Sequence, residues 1–442
     1  MQRIPMTRRL NLFVYTLVLV CGPVAAQKVA PAAKQERLQF VLVLTRHGVR
    51  SPTGDPGRYN PYSASPWPKW DVPPGYLTAR GFELMKLYGA YDRAAWSAQG
   101  LLGASGCADA ARVEIVADSD QRTRETGKAL AEGMFPGCAV EVHAQAEGER
   151  DPLFHPLRDG HADPNPAADA AAIKKGMEAK ERKLSESYRP QLEELDGILA
   201  GCGRTAVTNP KRISILDPPA EDADPMDGRG SDRHEHDPLS AASSMAETLL
   251  LEYAQGMKGA DLGWGCLDEN KLRAVMELHS AHAETADRMP QTARADASNL
   301  LNRILATLEQ SAMDKPVAGA MGKPGDRLLM IVGHDTNIDT VSALLNLLWT
   351  ADGRHDDTPP GAALVFELWR SVAGAYRLRV FYTAQTLDQM RNEQPLTLEN
   401  PPQRVALAVP GCGQAERPCS LNAFLALARR RVDPPHADAN VK

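Results

Sequence analysis

Six short stretches of the chain are almost continuously apolar: residues 38–45, 112–118, 139–143, 327–333, 363–369 and 376–382. They are rich in Val, Ile and Leu and hardly alternate with polar residues, which is the pattern of strands covered on both faces. Between the early ones, apolar positions recur at helical spacing over residues 78–96 and 123–134. This alternation predicts an α/β fold with a mainly parallel central sheet flanked by helices. From about residue 151 to 323 the pattern changes. Residues 174–199, 240–257, 279–289 and 293–313 predict amphipathic helices, and strand signals are nearly absent. Residues 209–237, rich in Pro, Gly and Asp, read as a long loop. The expected organisation is an α/β core of residues 27–150 and 324–433, an inserted and mostly α-helical domain over 151–323, and a flexible tail at 434–442. No internal repeat is visible.

The first 26 residues have a different signature. Arg3, Arg8 and Arg9 precede an apolar run from Leu10 to Val20, and Val24-Ala25-Ala26 supplies small residues for a peptidase. This is the layout of a cleavable signal peptide ending near Ala26, too short to span a bilayer and closed by Gly22-Pro23. It predicts a periplasmic or secreted protein with no membrane attachment once cleaved. Six of the seven cysteines lie beyond it. In an oxidising compartment an even number favours disulfides, and Cys107–Cys138, Cys412–Cys419 and Cys202–Cys266 are the expected pairs. No CxxC or His-x-x-x-His spacing accompanies them, so no zinc site is expected. The full chain carries a formal charge of −6, and the leader holds arginines but no acids. That balance excludes a nucleic-acid binder.

The chemistry gathers where predicted strands end. Strand 38–45 runs into Arg46-His47-Gly48-Val49-Arg50-Ser51-Pro52, and open α/β sheets bind ligands at such carboxyl ends. Two guanidiniums around one imidazole repel each other unless an anion joins them, and arginine matches phosphate oxygens bidentately. Gly48 allows close backbone approach, and Pro52 helps stop a helix. Strand 112–118 ends at Asp118-Ser119-Asp120-Gln121-Arg122-Thr123-Arg124, and strand 327–333 at His334-Asp335-Thr336-Asn337.

Arg46-His47-Gly48-Val49-Arg50-Ser51-Pro52 resembles the RHGxRxP signature of the histidine acid phosphatases, and His334-Asp335 their distal HD motif. The similarity runs from about residue 38 past Cys419. It is closest to the bacterial periplasmic branch containing phytases and glucose-1-phosphatase, with "WPKWDVPPGYLTARG", "GWG" and "DDTPPGAALVFELWR" as supporting stretches. The resemblance implies a phosphoglycerate-mutase-like core and hydrolysis of phosphomonoesters through a phosphohistidine, with no cofactor and no metal. His47 would be the nucleophile and Asp335 the general acid. Arg46, Arg50, Arg122 and His334 would bind the phosphoryl group, Arg122 fitting the position better than Arg124. Asp118 would orient Arg122 or line the leaving-group side. Thr53, Glu247 and His279 match pocket positions, Ser244 stands where related phytases carry methionine, with Met245 next to it, and Gly54 stands where they carry lysine. The implied substrate is a small phosphomonoester, phytate (myo-inositol hexakisphosphate) or another organic phosphate. A glucose-1-phosphatase type or a broad sugar-phosphate phosphatase is the alternative. A mutase-like phosphotransferase fits poorly with export, and a non-catalytic binder would gain nothing from Asp335. No protein partner is evident. His234-Glu235-His236-Asp237 reads as a solvated loop, and Arg429-Arg430-Arg431 as a helix C-terminus.

Overall fold

The computed structural model describes residues 36–156, 180, 183–203, 209–216, 238–414 and 417–437. Residues 1–35, with the expected signal sequence, residues 217–237 with His234 to Asp237, and the end of the tail lie outside them. The elements, in chain order, begin with β1 (Arg37–Arg46), α1 (Ala79–Ala98), β2 (Val113–Ala117), α2 (Gln121–Met134) and β3 (Val142–His143). Among the described residues the chain continues without a strand through helical residues 183–187, α3 (Arg189–Leu199), α4 (Pro238–Ala254), α5 (Glu269–Thr285) and α6 (Pro290–Met313). Then come β4 (Leu328–Gly333), α7 (Asp335–Leu345), the small hairpin β5 (Thr350–Ala351) and β6 (Arg354–His355), β7 (Ala363–Arg370) and β8 (Tyr376–Ala384). The chain closes with α8 (Leu387–Arg391), β9 (Gln403–Leu407), β10 (Cys419–Ser420) and α9 (Leu421–Arg429).

The main sheet runs β10-β8-β7-β1-β4-β2-β3, with β9 also on β8. β1, β4, β2 and β3 are parallel. β7, β8, β9 and β10 add an antiparallel extension, because β7 and β8 are joined by a short turn rather than a crossover helix. β1 explains its own apolar run. Phe40, Leu42 and Leu44 enter a core with Leu301 and Ile304 of α6, Ile338 and Val341 of α7, and Phe424 of α9. Val41 and Val43 enter the opposite core with Met85 and Tyr88 of α1 and Ala129 and Leu130 of α2. A third core joins Leu195, Leu249, Leu272 and Met276 of α3, α4 and α5.

Several expectations shift. The helix expected at 279–289 is the end of α5, which begins ten residues earlier because the Asp268 carboxylate caps Lys271 N at 2.9 Å. Pro290, which has no N–H to donate, then opens α6. Of the helix expected over 174–199, residues 174–179, 181 and 182 lie outside the described residues, and the rest is interrupted by a turn at Tyr188, two residues ahead of Pro190. β9 was not anticipated, because it is an edge strand and exposed along most of its length. The tail expected to be flexible from Pro434 instead forms a 3-10 turn through His436, with Asp433 N donating to Ser298 Oγ of α6 at 2.9 Å. Cys107–Cys138 and Cys412–Cys419 are disulfides, whereas Cys202 and Cys266 are not bonded to each other. Cys202 sits in a left-handed turn (φ 48°) with Sγ 3.6 Å from Gly197 O. The expected Cys202–Cys266 pair is corrected accordingly.

The start of α1 is pressed onto the loop that follows β1. Thr78 N donates to Val49 O at 3.0 Å, and a Cβ at Gly81 would stand 2.1 Å from that same oxygen. A Cβ at Gly48 would stand 2.7 Å from Met85 Cγ. Gly81→Ala must therefore push α1 off the loop carrying His47. We expect a loss of about 1–3 kcal/mol of stability, read as a lower Tm. A variant with parent-like Tm would contradict this packing.

Candidate active site

The strand register builds the site. Arg46 of β1 pairs with Gly333 of β4, and Ala117 of β2 with Val332, so the three parallel strands end level with one another. The next residues, His47, His334 and Asp118, therefore emerge side by side. His47 N donates to Gly333 O at 2.9 Å and Asp118 N to Val332 O at 3.0 Å. α2 and α7 start immediately afterwards, so two helix N-termini add positive potential at the same edge.

His47 is buried, and its Nδ1 lies 2.8 Å from Gly48 O. A carbonyl only accepts, so Nδ1 carries the proton and Nε2 presents its lone pair. Burial, reinforced by the charges of Arg122, Arg46 and Arg50, holds the imidazole well below its usual pKa and keeps it neutral. Three guanidiniums surround it. Arg46 is fully buried, donating from Nη1 to Thr358 O at 2.5 Å and pairing through Nη2 with Glu247 and, at 2.8 Å, with Asp335. Arg50 pairs with Glu247 Oε1 at 2.9 Å. Arg122 is held by Asp120 at 2.5 Å and reaches His334 Nδ1 at 3.4 Å. Burial, then the charge of Arg50, lowers Arg122 to about 10, so it remains a cation. The Nε–H groups of all three arginines are buried without a hydrogen-bond partner. Buried donors are rarely left so, and an oxyanion with several acceptors is what would satisfy them.

Glu247 and Asp335 stand where that anion's charge is needed. Burial would raise both carboxyls, but the neighbouring guanidiniums prevail: Arg50 and Arg46 for Glu247, Arg46 for Asp335. Asp335, at the first position of α7, is held well below the usual carboxylate range. His279 of α5 completes this side, with ligand atoms of Glu247, His279 and Asp335 all within 4.8 Å of one another. Thr53 is exposed and lines a cavity beside the cradle with Arg50, Pro52, Gly54, Arg58, Ser244 and Glu247. Met245 faces the helical core instead.

Asp118 is not where the expectation placed it. Its carboxylate turns inward, 2.6 Å from His334 Nε2 and 3.1 Å from His155 Nε2, and it is Asp120 that holds Arg122. Burial would raise Asp118, but the hydrogen bonds from His155 and His334 drive it well below the carboxylate range. His334 is lowered to about 4 by burial, with Asp118 pulling the other way and Arg122 adding to the drop. Sequence reasoning missed His155, whose ring lies 4.7 Å from that of His334, and Asp120. His155 sits in an irregular Pro-flanked loop with no periodicity to flag it, while the acidic N-cap position of Asp120 ahead of α2 offered a signal.

A family model described as histidine phosphatase superfamily (branch 2) matches residues 37–383. The chain is 34% identical over 415 residues to Phytase AppA of Escherichia coli, covering 89% of this chain and 92% of that protein. It is 29% identical over 416 residues to a glucose-1-phosphatase of Salmonella typhimurium, covering 93% and 94%. The solved structure of Hafnia alvei phytase with myo-inositol hexakis sulphate superposes with a TM-score of 0.78 at 32% identity, covering 92% of this chain and 100% of that one.

An oxyanion entering the cradle repels the Asp335 carboxylate and favours protonated His334, so binding raises both pKa values. Sulfate, which does not itself titrate, should therefore bind with net proton uptake at about pH 5. Calorimetry in buffers of different ionisation enthalpy reads this directly, and Asp335→Asn should lower the uptake. Binding without proton exchange would contradict the charge balance described here.

Proposed function

This chain belongs to the histidine phosphatase superfamily (branch 2) and is a phosphomonoester hydrolase, and from that premise we propose a phytase-like acid phosphatase working through His47. The observation that carries the reading is the His47 ring itself: neutral, its Nδ1 tied to Gly48 O, its Nε2 left as a nucleophile among three guanidiniums. In the proposed reaction Nε2 attacks phosphorus and the P–O bond to the leaving group breaks. Arg46, Arg50 and Arg122 carry the charge that develops on the phosphoryl oxygens. His334, protonated once the anion is bound, donates to them from between Asp118 and the phosphoryl group. Asp335 gains its proton in the same way and delivers it to the leaving alkoxide, which suits an acidic working pH. Water then attacks the phosphohistidine and restores the imidazole. The residues 151–323 act in this proposal as an insertion whose α4 and α5 bring Glu247 and His279 to the leaving-group side.

The phytase-like reading of substrate draws support from the phytases among the relatives and from the polar cavity beside the cradle. Gly54 is the objection, since related phytases carry lysine there. Arg58 answers it: its Nη1 lies 3.0 Å from where a Cβ at Gly54 would stand, and the same cavity lines both residues. We assign Arg58 the task of holding a non-reacting phosphate of a polyanionic substrate. We also propose export, as the leader implies. Among the described residues no helix is long and apolar enough to cross a membrane.

Comparing kcat/KM on phytate and on p-nitrophenyl phosphate tests these assignments. Asp335→Asn should cost about 10²–10⁴-fold on phytate and much less on p-nitrophenyl phosphate, whose leaving group needs no proton. Arg58→Ala should raise KM for phytate about tenfold, the value of one charge-assisted contact, leave p-nitrophenyl phosphate unchanged, and be rescued by adding Gly54→Lys. Equal losses on both substrates would contradict the acid role. A parent enzyme that turns over glucose-1-phosphate but not phytate would favour the glucose-1-phosphatase alternative.

A further inference from the structure

We propose that Asp118, Asp120, His155 and His334 form a binding site for a transition-metal dication of the zinc class, and that filling it switches the phosphatase off. The four residues come from three separate segments: the turns directly after β2 and β4, and the loop at residues 151–156 beyond β3. Their ligand atoms all lie within 4.8 Å of one another. Asp118 Oδ2 is 2.6 Å from His334 Nε2 and 3.1 Å from His155 Nε2, and Asp120 Oδ2 is 3.6 Å from His334 Nε2. Ligands about 2.0–2.2 Å from a tetrahedral zinc ion stand about 3.3 Å apart, so these separations straddle the required edge. Two imidazoles and two carboxylates are a zinc-class donor set rather than a magnesium or calcium one. Asp118 and His334 are 2% and 4% exposed, and the His155 ring rests against that of His334, so most of the set is already oriented. The buried carboxylate with two imidazoles aimed at one of its oxygens is the arrangement a cation would complete.

The site's neighbours dictate the consequence. Each imidazole presents its Nε2 lone pair to the metal by moving that proton to Nδ1. In His334, Nδ1 is the atom that accepts from Arg122, so the metal-bound tautomer loses that contact. Asp120, drawn to the metal, also releases Arg122. The ties of the third guanidinium to Asp120 and His334 are lost together, leaving it the longer contact of Nη1 with Gly75 O at 3.5 Å. The dication is thus an inhibitor competing for the cradle's own supports, distinct from any cofactor role.

The test uses the full-length protein after dialysis against EDTA. Titration with CoCl₂ should give one-to-one binding by calorimetry and the intense visible bands of tetrahedral cobalt, which ZnCl₂ then abolishes. ZnCl₂ should inhibit p-nitrophenyl phosphate hydrolysis, and EDTA should reverse it. His155→Asn and His155→Gln should each weaken both cobalt binding and zinc inhibition by about tenfold or more, while His355→Asn, on the exposed β5–β6 hairpin, should leave both at parent values. Thermal melts establish that the variants are folded, and two different amides guard against one failing to fold. Absence of tetrahedral cobalt bands in the parent overturns the proposal, as does binding or inhibition insensitive to either His155 variant.

Discussion

Three guanidiniums packed around one neutral imidazole repel each other, and the rest of the site is an answer to that repulsion. Arg46 ends β1, Arg50 lies in the loop after it and Arg122 sits in the first turn of α2, and all three are largely buried, so water screens them little. Glu247 and Asp335 balance Arg46 and Arg50, and Asp120 balances Arg122. Every one of those acids is an internal substitute for the substrate's phosphate. Under the proposed function, binding is an exchange of one anion for another, and the displaced Asp335 carboxylate is the group proposed as the acid.

The fold meets this demand through register rather than through any single contact. Parallel β1, β4 and β2 end at one level, so residues far apart in sequence arrive adjacent without long side chains having to search for each other. Two helix N-termini open at the same edge and favour the anion further. Rigid packing on both faces of β1 keeps His47 in place, and α1 closes directly over the loop behind it at Gly81.

Much of this was legible in the chain. The apolar run ending in Arg46-His47 marks a doubly covered strand with charge at its end, and that signal survives folding because burial on both faces leaves no alternation to confuse it. The helices at 238–254 and 290–313 between β3 and β4 were equally plain from their spacing. What was hidden depends on long-range placement. β9 buries little and so carries no apolar signature. The inward turn of Asp118 depends on His334 lying one strand away, and His155 gains meaning only once the loop beyond β3 meets the turns after β2 and β4. No spacing along one segment could have announced a constellation drawn from three. Cys202 and Cys266 show the converse: an even count of cysteines invited a third pairing that the turn at Cys202 does not make.

The central claim is that His47 Nε2 forms the bond to phosphorus. Rapid quenching of a p-nitrophenyl phosphate reaction into base, followed by peptide mass spectrometry, measures it most directly. The account predicts a transient, acid-labile phosphoryl group on the peptide containing His47, localised to that residue and absent from His47→Ala. A phosphoryl group trapped on a different residue, or turnover with no covalent intermediate at any time point, would contradict it.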